Sequence, residues 1–238
     1  MRITQLLLIS AVSATLLVIG QQPATAQRVR QPRDVIEAYG VCRRFQQLLA
    51  DDLNFEHAFE ETFVKSPARR RAIAIAEGEF GAVDVSKIDD VTLVNVYKDQ
   101  MQILFLMMPL IGPETKEDED RYFPPPIKLI FDRPRPETTE EIPRYASQLK
   151  QDVANLRAHL SRLAAGDPAI ANRIEEFKSQ LTQGVEVPRN HVVRPLTSYS
   201  KGHVLDPREK YYQIGDYAVI REGAAMKIIG IRFFSRLF

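Results

Sequence analysis

Apolar positions recur every three or four residues through the first three quarters of the chain and then change to alternation, so helices are expected first and strands after them. Val35, Tyr39, Cys42, Phe45 and Leu49 share one stripe of a helix that Asp34 can cap and that runs to about Ala50. "DDLN" breaks it, and Phe55, Phe59 and Phe63, spaced by four, mark a second helix. Ser66-Pro67 restarts the pattern with a capping residue and a first-turn proline, and this helix ends near Gly78 or Gly81. Val91 to Ile111 is the most apolar part after the leader. Its Met, Leu and Gln content favours a buried helix, and its uncharged core, the nine residues "ILFLMMPLI", is too short to cross a bilayer.

From Pro109 to Pro143 lie eight of the fifteen prolines, with the acidic run "PETKEDEDRYFPPP" and a strand-like "IKLIF". Residues 112–137 are expected to form a proline-rich acidic loop, since such a stretch suits neither a regular helix nor a central strand. The clearest periodicity follows. Ile142, Ala146, Leu149, Val153, Leu156, Leu160 and Leu163 are spaced alternately by four and three, behind a Thr138–Glu141 capping box. Asp167-Pro168 opens another helix with Ile170, Ile174, Phe177 and Leu181, ending at Gly184. Residues 138–184 thus predict an antiparallel, coiled-coil-like helical hairpin. Its seam is closed within the chain or shared with a second copy, and the short connection favours the former.

Beyond Gly184 the β-branched residues take over, interrupted by prolines. "EKYYQIGDYAVIREGAAMKIIGIRFF", Glu209 to Phe234, reads as two long strands around a Gly223-Ala224-Ala225 loop. That register sets Ile220 against Ile228, Tyr217 against Ile231, Asp216 against Arg232 and Ile214 against Phe234. It also opposes Arg221 and Lys227, a mild cost that a slip of one residue would remove. Both strand faces are largely apolar, so both must be covered. The fold class expected is α+β: helix-rich through 27–111 and 138–184, with a C-terminal antiparallel sheet over 185–238.

The first 26 residues change the picture of where the chain goes. Arg2, an apolar run from Leu6 to Gly20 and Ala24-Thr25-Ala26 have the order of an export signal cleaved after Ala26, which implies a periplasmic or secreted protein. Arginines at 28, 30 and 33 resist translocation, and the alternative is a retained anchor. Taking Arg2 from the 32 basic residues leaves 31 against 31 acidic ones, which gives no electrostatic case for nucleic acid or an anionic membrane surface. Cys42 is the single cysteine, so no internal disulfide forms, and its place on the first apolar stripe marks a buried small hydrophobe.

The order of elements resembles the nuclear transport factor 2-like superfamily, a cone of curved sheet around helices. "FQQLLADDLNFEHAFEETF" is similar to that family's opening helix pair and "YYQIGDYAVIREGAAMKIIGIRFF" to its closing strands. The likeness spans about residues 34–64 and 190–238, and departs in the long helical and proline-rich stretch between them. It implies an interior that holds an apolar ligand or an active site.

Candidate chemistry is sparse. Asp216, beside Tyr212, Tyr217 and Arg232, is the candidate ligand site; a carboxylate desolvated there could act as a general base, and the structural alternative is an ion pair with Arg232. His57 with Glu61 at i+4 could begin a metal site, but no second histidine lies at ligand spacing, and His159, His191 and His203 are each isolated. "ARRRA" at 68–72 fans around its helix and is expected to be solvated. No catalytic set, cofactor motif or metal motif is assigned. The sequence points to an exported binding protein for a small apolar ligand or a protein partner. The alternatives are a cone-fold enzyme with a carboxylate base and an envelope scaffold; oligomeric state is left open.

Overall fold

A computed structural model describes residues 33–112, 115–183, 192–195 and 210–231, all within one compact unit, Pro32–Phe238. Residues 1–26, read above as an export signal, and Arg232 lie outside the described residues. The fold is α+β. Its helices are α1 (Arg33–Asp52), α2 (Phe55–Thr62), α3 (Pro67–Glu77), α4 (Asp90–Met107), α5 (Lys116–Tyr122), α6 (Pro125–Phe131), α7 (Ile142–Gly166) and α8 (Pro168–Gln183). Its strands are β1 (Val192–Pro195), β2 (Lys210–Ile214), β3 (Tyr217–Glu222) and β4 (Ala225–Ile231), antiparallel in the order β1-β2-β3-β4. No helix among the described residues is long and apolar enough to cross a membrane.

The stripe on α1 is buried at Val35, Ala38, Cys42, Phe45 and Leu49. The helix ends because Leu53 turns left-handed at φ 53° while its N–H still reaches Leu49 O at 2.8 Å. Leucine takes this conformation at a cost of about 1–2 kcal/mol, offset here by a buried side chain and by Gln102. The Gln102 amide nitrogen donates to Leu53 O at 2.6 Å, and its oxygen accepts from Phe55 N at 2.8 Å. Asn54 then caps α2 through the His57 N–H. Phe55, Phe59 and Phe63 enter a shared aromatic core with Phe45, Tyr97 and Phe105. Beyond α2 the chain runs extended, and Val64 N donates to Ile228 O at 3.1 Å, so Phe63-Val64 lines the free edge of β4.

Helix α3 begins at Ser66-Pro67 as expected, but the Ser66 side chain makes no capping bond. Glu222 of β3 does the work instead, accepting from Lys65 N at 2.6 Å and Ser66 N at 3.2 Å and placing a negative charge at the helix start. "ARRRA" is not a merely solvated face. Arg70 forks onto both oxygens of Glu60 (3.1 and 2.8 Å), donates to Val64 O and lies over the Phe59 ring. Arg71 ties down the 3-10 turn Val85–Lys87 through Val85 O, Ile88 O and Asp90. Because consecutive helical residues point some 100° apart, Arg70 and Arg71 reach different segments.

Helix α4 is buried on most sides, from Leu93 to Leu106, between α2, α3 and α7. The proline-rich stretch differs from the expected loop: it holds the seven-residue helices α5 and α6. Glu117, Asp118 and Glu119 fall in the first turn of α5, where they complement the helix dipole. Pro124 precedes α6 and Pro125 and Pro126 open it, where no N–H is required. "IKLIF" is therefore helical. In α7 the heptad positions Ile142, Leu149, Leu156 and Leu160 are buried, largely against α4, and α8 packs on α7 and α1. On α8 only Ile170 is fully buried, while Ile174, Phe177 and Leu181 are partly buried. The hairpin's capping box is displaced: a 3-10 turn, Thr139–Glu141, precedes α7, and Glu141 accepts from Glu137 N at 2.9 Å while Thr138 makes no side-chain cap.

The closing segment makes three strands, not two, because Gly215 (φ 57°) and Asp216 form a turn between β2 and β3. The β3–β4 loop has two residues, Gly223 and Ala224, giving Glu222↔Ala225, Arg221↔Met226 and Ile220↔Lys227. A bulge at Ile229 then restores the expected Tyr217↔Ile231 pair. One extra residue on β4 thereby removes the Arg221–Lys227 clash without turning the apolar residues outward.

Candidate functional site

Of the four residues singled out on the closing strands, the three described ones, Tyr212, Asp216 and Tyr217, have different surroundings. Asp216 is half-exposed in the β2–β3 turn, so the strand-face burial expected for a general base is absent. Tyr217 is core: its ring meets Phe45 edge-on at 5.8 Å, and burial pushes its phenol pKa up. Tyr212 shares that sheet face but donates to Asp34 Oδ2 at 2.7 Å, at the start of α1; Phe45 lies eleven residues further along the helix, about 16 Å away. Arg221 joins the Asp34 end at 2.7 Å and also holds Glu37 at 2.6 Å. The Tyr212 hydroxyl and the Arg221 guanidinium hold the Asp34 carboxyl below its ordinary pKa. Burial and the Asp34 bond push Tyr212 up to about 12. This network latches α1 to the sheet, and Arg232, the fourth residue, lies outside the described residues.

The other candidates resolve similarly. Cys42 is buried, and desolvation raises its pKa so that it stays a thiol. His57 and Glu61 are both exposed on α2, and among the described residues no three His, Cys, Asp or Glu side chains gather as a metal site. His191 and His203 lie outside the described residues.

A concave site lies elsewhere, between the start of α6 and the second half of α7. Pro124, Pro126 and Ile127 form one wall of a groove of about 380 Å³; Asn155, Ala158, His159 and Arg162 form the other. The helical positions 155, 158, 159 and 162 share one face by spacing alone, a signal present in the sequence. The opposite wall exists only because the prolines start a helix. His159 is buried and bonded to the Tyr122 carbonyl through Nε2 at 2.8 Å. A carbonyl only accepts, so Nε2 carries the proton and the ring is fixed in the groove wall. Tyr122 itself lies under Arg121 at 5.2 Å and Arg173 at 5.8 Å. The Arg173 guanidinium donates to Ile111 O, and Arg121 pairs with Asp167 at 2.6 Å, so the α5–α6 segment is strapped to the α7–α8 hairpin. Nearby on α6, Leu129 and Phe131 are 64% and 39% exposed.

No family model, curated protein or solved structure matches this chain.

Proposed function

We propose that the protein is an exported binding protein without catalytic machinery of its own, and that it takes a small, largely apolar ligand into the α6–α7 groove. The observation that carries this reading is the groove itself. Its volume of about 380 Å³ lies in the range of small-molecule sites. Its lining joins three apolar residues of one segment to a few polar groups on one helix face, and both walls are held by the Tyr122–His159 bond and the Arg121–Asp167 pair. Export rests on the leader, residues 1–26.

The test fills the groove. Ala158 is exposed on α7, so Ala158→Trp should fold normally. Native mass spectrometry on the protein incubated with a small-molecule extract of its own cell is expected to show an added mass. That added mass should be absent from Ala158→Trp. An adduct of equal occupancy in the variant, or none in either protein, overturns the reading.

A further inference from the structure

We propose that the groove's ligand is a small amphiphilic carboxylate whose apolar body lies against Ile127 and the proline wall and whose carboxylate meets Arg162. This inference rests on the binding reading above and adds the chemistry of the ligand.

The lining contains one cation and no acid. Among the described residues Arg162 has no carboxylate partner, in contrast to its neighbours. Arg121 faces Asp118 and Asp167 at 2.9 and 2.6 Å, and Lys128 faces Asp120 at 2.9 Å. Asp118, Asp120 and Asp167 of the adjoining segments are therefore already matched, and the one charge in the groove's lining is positive. An arginine presents a planar fork of donors that fits a carboxylate with two parallel hydrogen bonds. Asn155 marks the far end of this wall, its oxygen held by Gln151 Nε2 at 3.0 Å. His159 contributes shape more than charge, with Nε2 committed to Tyr122.

Dimensions set the size of the apolar part. Asn155 to Arg162 is seven residues of helix, about 10 Å, which matches an extended chain of roughly eight carbons. The apolar contacts along it are Ile127, Ala158, Pro124 and Pro126. A cationic amphiphile of the same length meets Arg162 as a like charge, so the site discriminates by sign.

Octanoate, octanol and octylammonium separate the two readings. The readout is the NMR shift of the Ile127 and Ala158 methyl groups in the full chain. Octanoate is expected to shift both methyls saturably, octanol more weakly and octylammonium least. Arg162→Gln, at an exposed position that does not enter the core, is expected to weaken octanoate about tenfold or more, the scale of losing a charge-assisted bond. It should leave octanol unchanged. If octanol and octanoate bind alike and Arg162→Gln changes neither, the carboxylate proposal falls while the groove stands. If none of the three probes moves either methyl, the groove reading falls with it.

Discussion

Asp99 is the one acid on α4 whose surroundings oppose its charge. It is half-buried, with Glu56 of α2 as a like charge nearby and with Lys98 of its own helix and Lys150 of α7 as weaker opposing influences. Lys98 is itself engaged by Glu56 at 2.9 Å and Glu60 at 3.3 Å. Burial first, then Glu56, push the Asp99 pKa up from its ordinary 3.8 to about 6. A carboxyl with a raised folded-state pKa destabilises the fold fully above about pH 6, and that penalty is relieved as pH falls toward 3.8. Asp99→Asn is therefore expected to raise the denaturant midpoint at pH 8 and to leave it unchanged at pH 3.5. Equal effects at both pH values would show that lost packing or hydrogen bonding, not charge, governs the site. Gln102 gives the complementary case, a buried polar group whose value lies in its bonds. Gln102→Leu leaves Leu53 O and Phe55 N unpaired in the core and should cost about 2–4 kcal/mol. Urea titration would measure it; a loss below about 0.5 kcal/mol, the size of a surface change, would mean that other groups hold the α1–α2 turn.

Elements were legible where a single face decides them and less so where neighbours do. The stripe of α1, the phenylalanine repeat of α2 and the heptads of α7 follow from spacing, because each buries one recurring set of side chains, while α4, buried on most sides, follows from its residue types. The short helices α5 and α6 did not, since the prolines at 124–126 signal a break until one knows that they occupy a helix start. The same ambiguity hid the groove: positions 155, 158, 159 and 162 could be read as one face of α7, but not the wall that makes that face concave. The β3–β4 register also needed tertiary information, because a bulge at Ile229 satisfies both halves of the hairpin in a way that no single loop length does. One element-scale consequence is testable at the α7 seam. Leu156 is fully buried, so Leu156→Lys should unfold the protein as a monomer, with a loss of about 3 kcal/mol or more. Analytical ultracentrifugation of the wild type and the variant checks this. A folded variant whose only change is in oligomeric state would place the seam between chains.

At the scale of the whole molecule, α1 is the element shared by the helical layer and the sheet. It packs against α2 and α8 on one side and against β2, β3 and β4 on the other. Phe45 sits where these meet, its ring within 6.5 Å of Phe55, Phe63, Phe105 and Tyr217, which come from α2, its C-terminal edge, α4 and β3. Polar ties repeat the connection at the surface: Tyr212 and Arg221 grip Asp34 and Glu37, and Glu222 grips the start of α3. A core shared in this way makes helices and sheet unfold together, since neither layer keeps its apolar face covered without the other. Phe45→Ala is expected to cost about 3–5 kcal/mol and to lower the urea midpoint equally for helical ellipticity and for the Ile228 methyl signal of β4. Coincident transitions in both proteins would support one cooperative core. A variant in which the β4 signal is lost well before the helical one would show that the sheet is a separate unit resting on the helices, and the groove between α6 and α7 would then be independent of the sheet's stability.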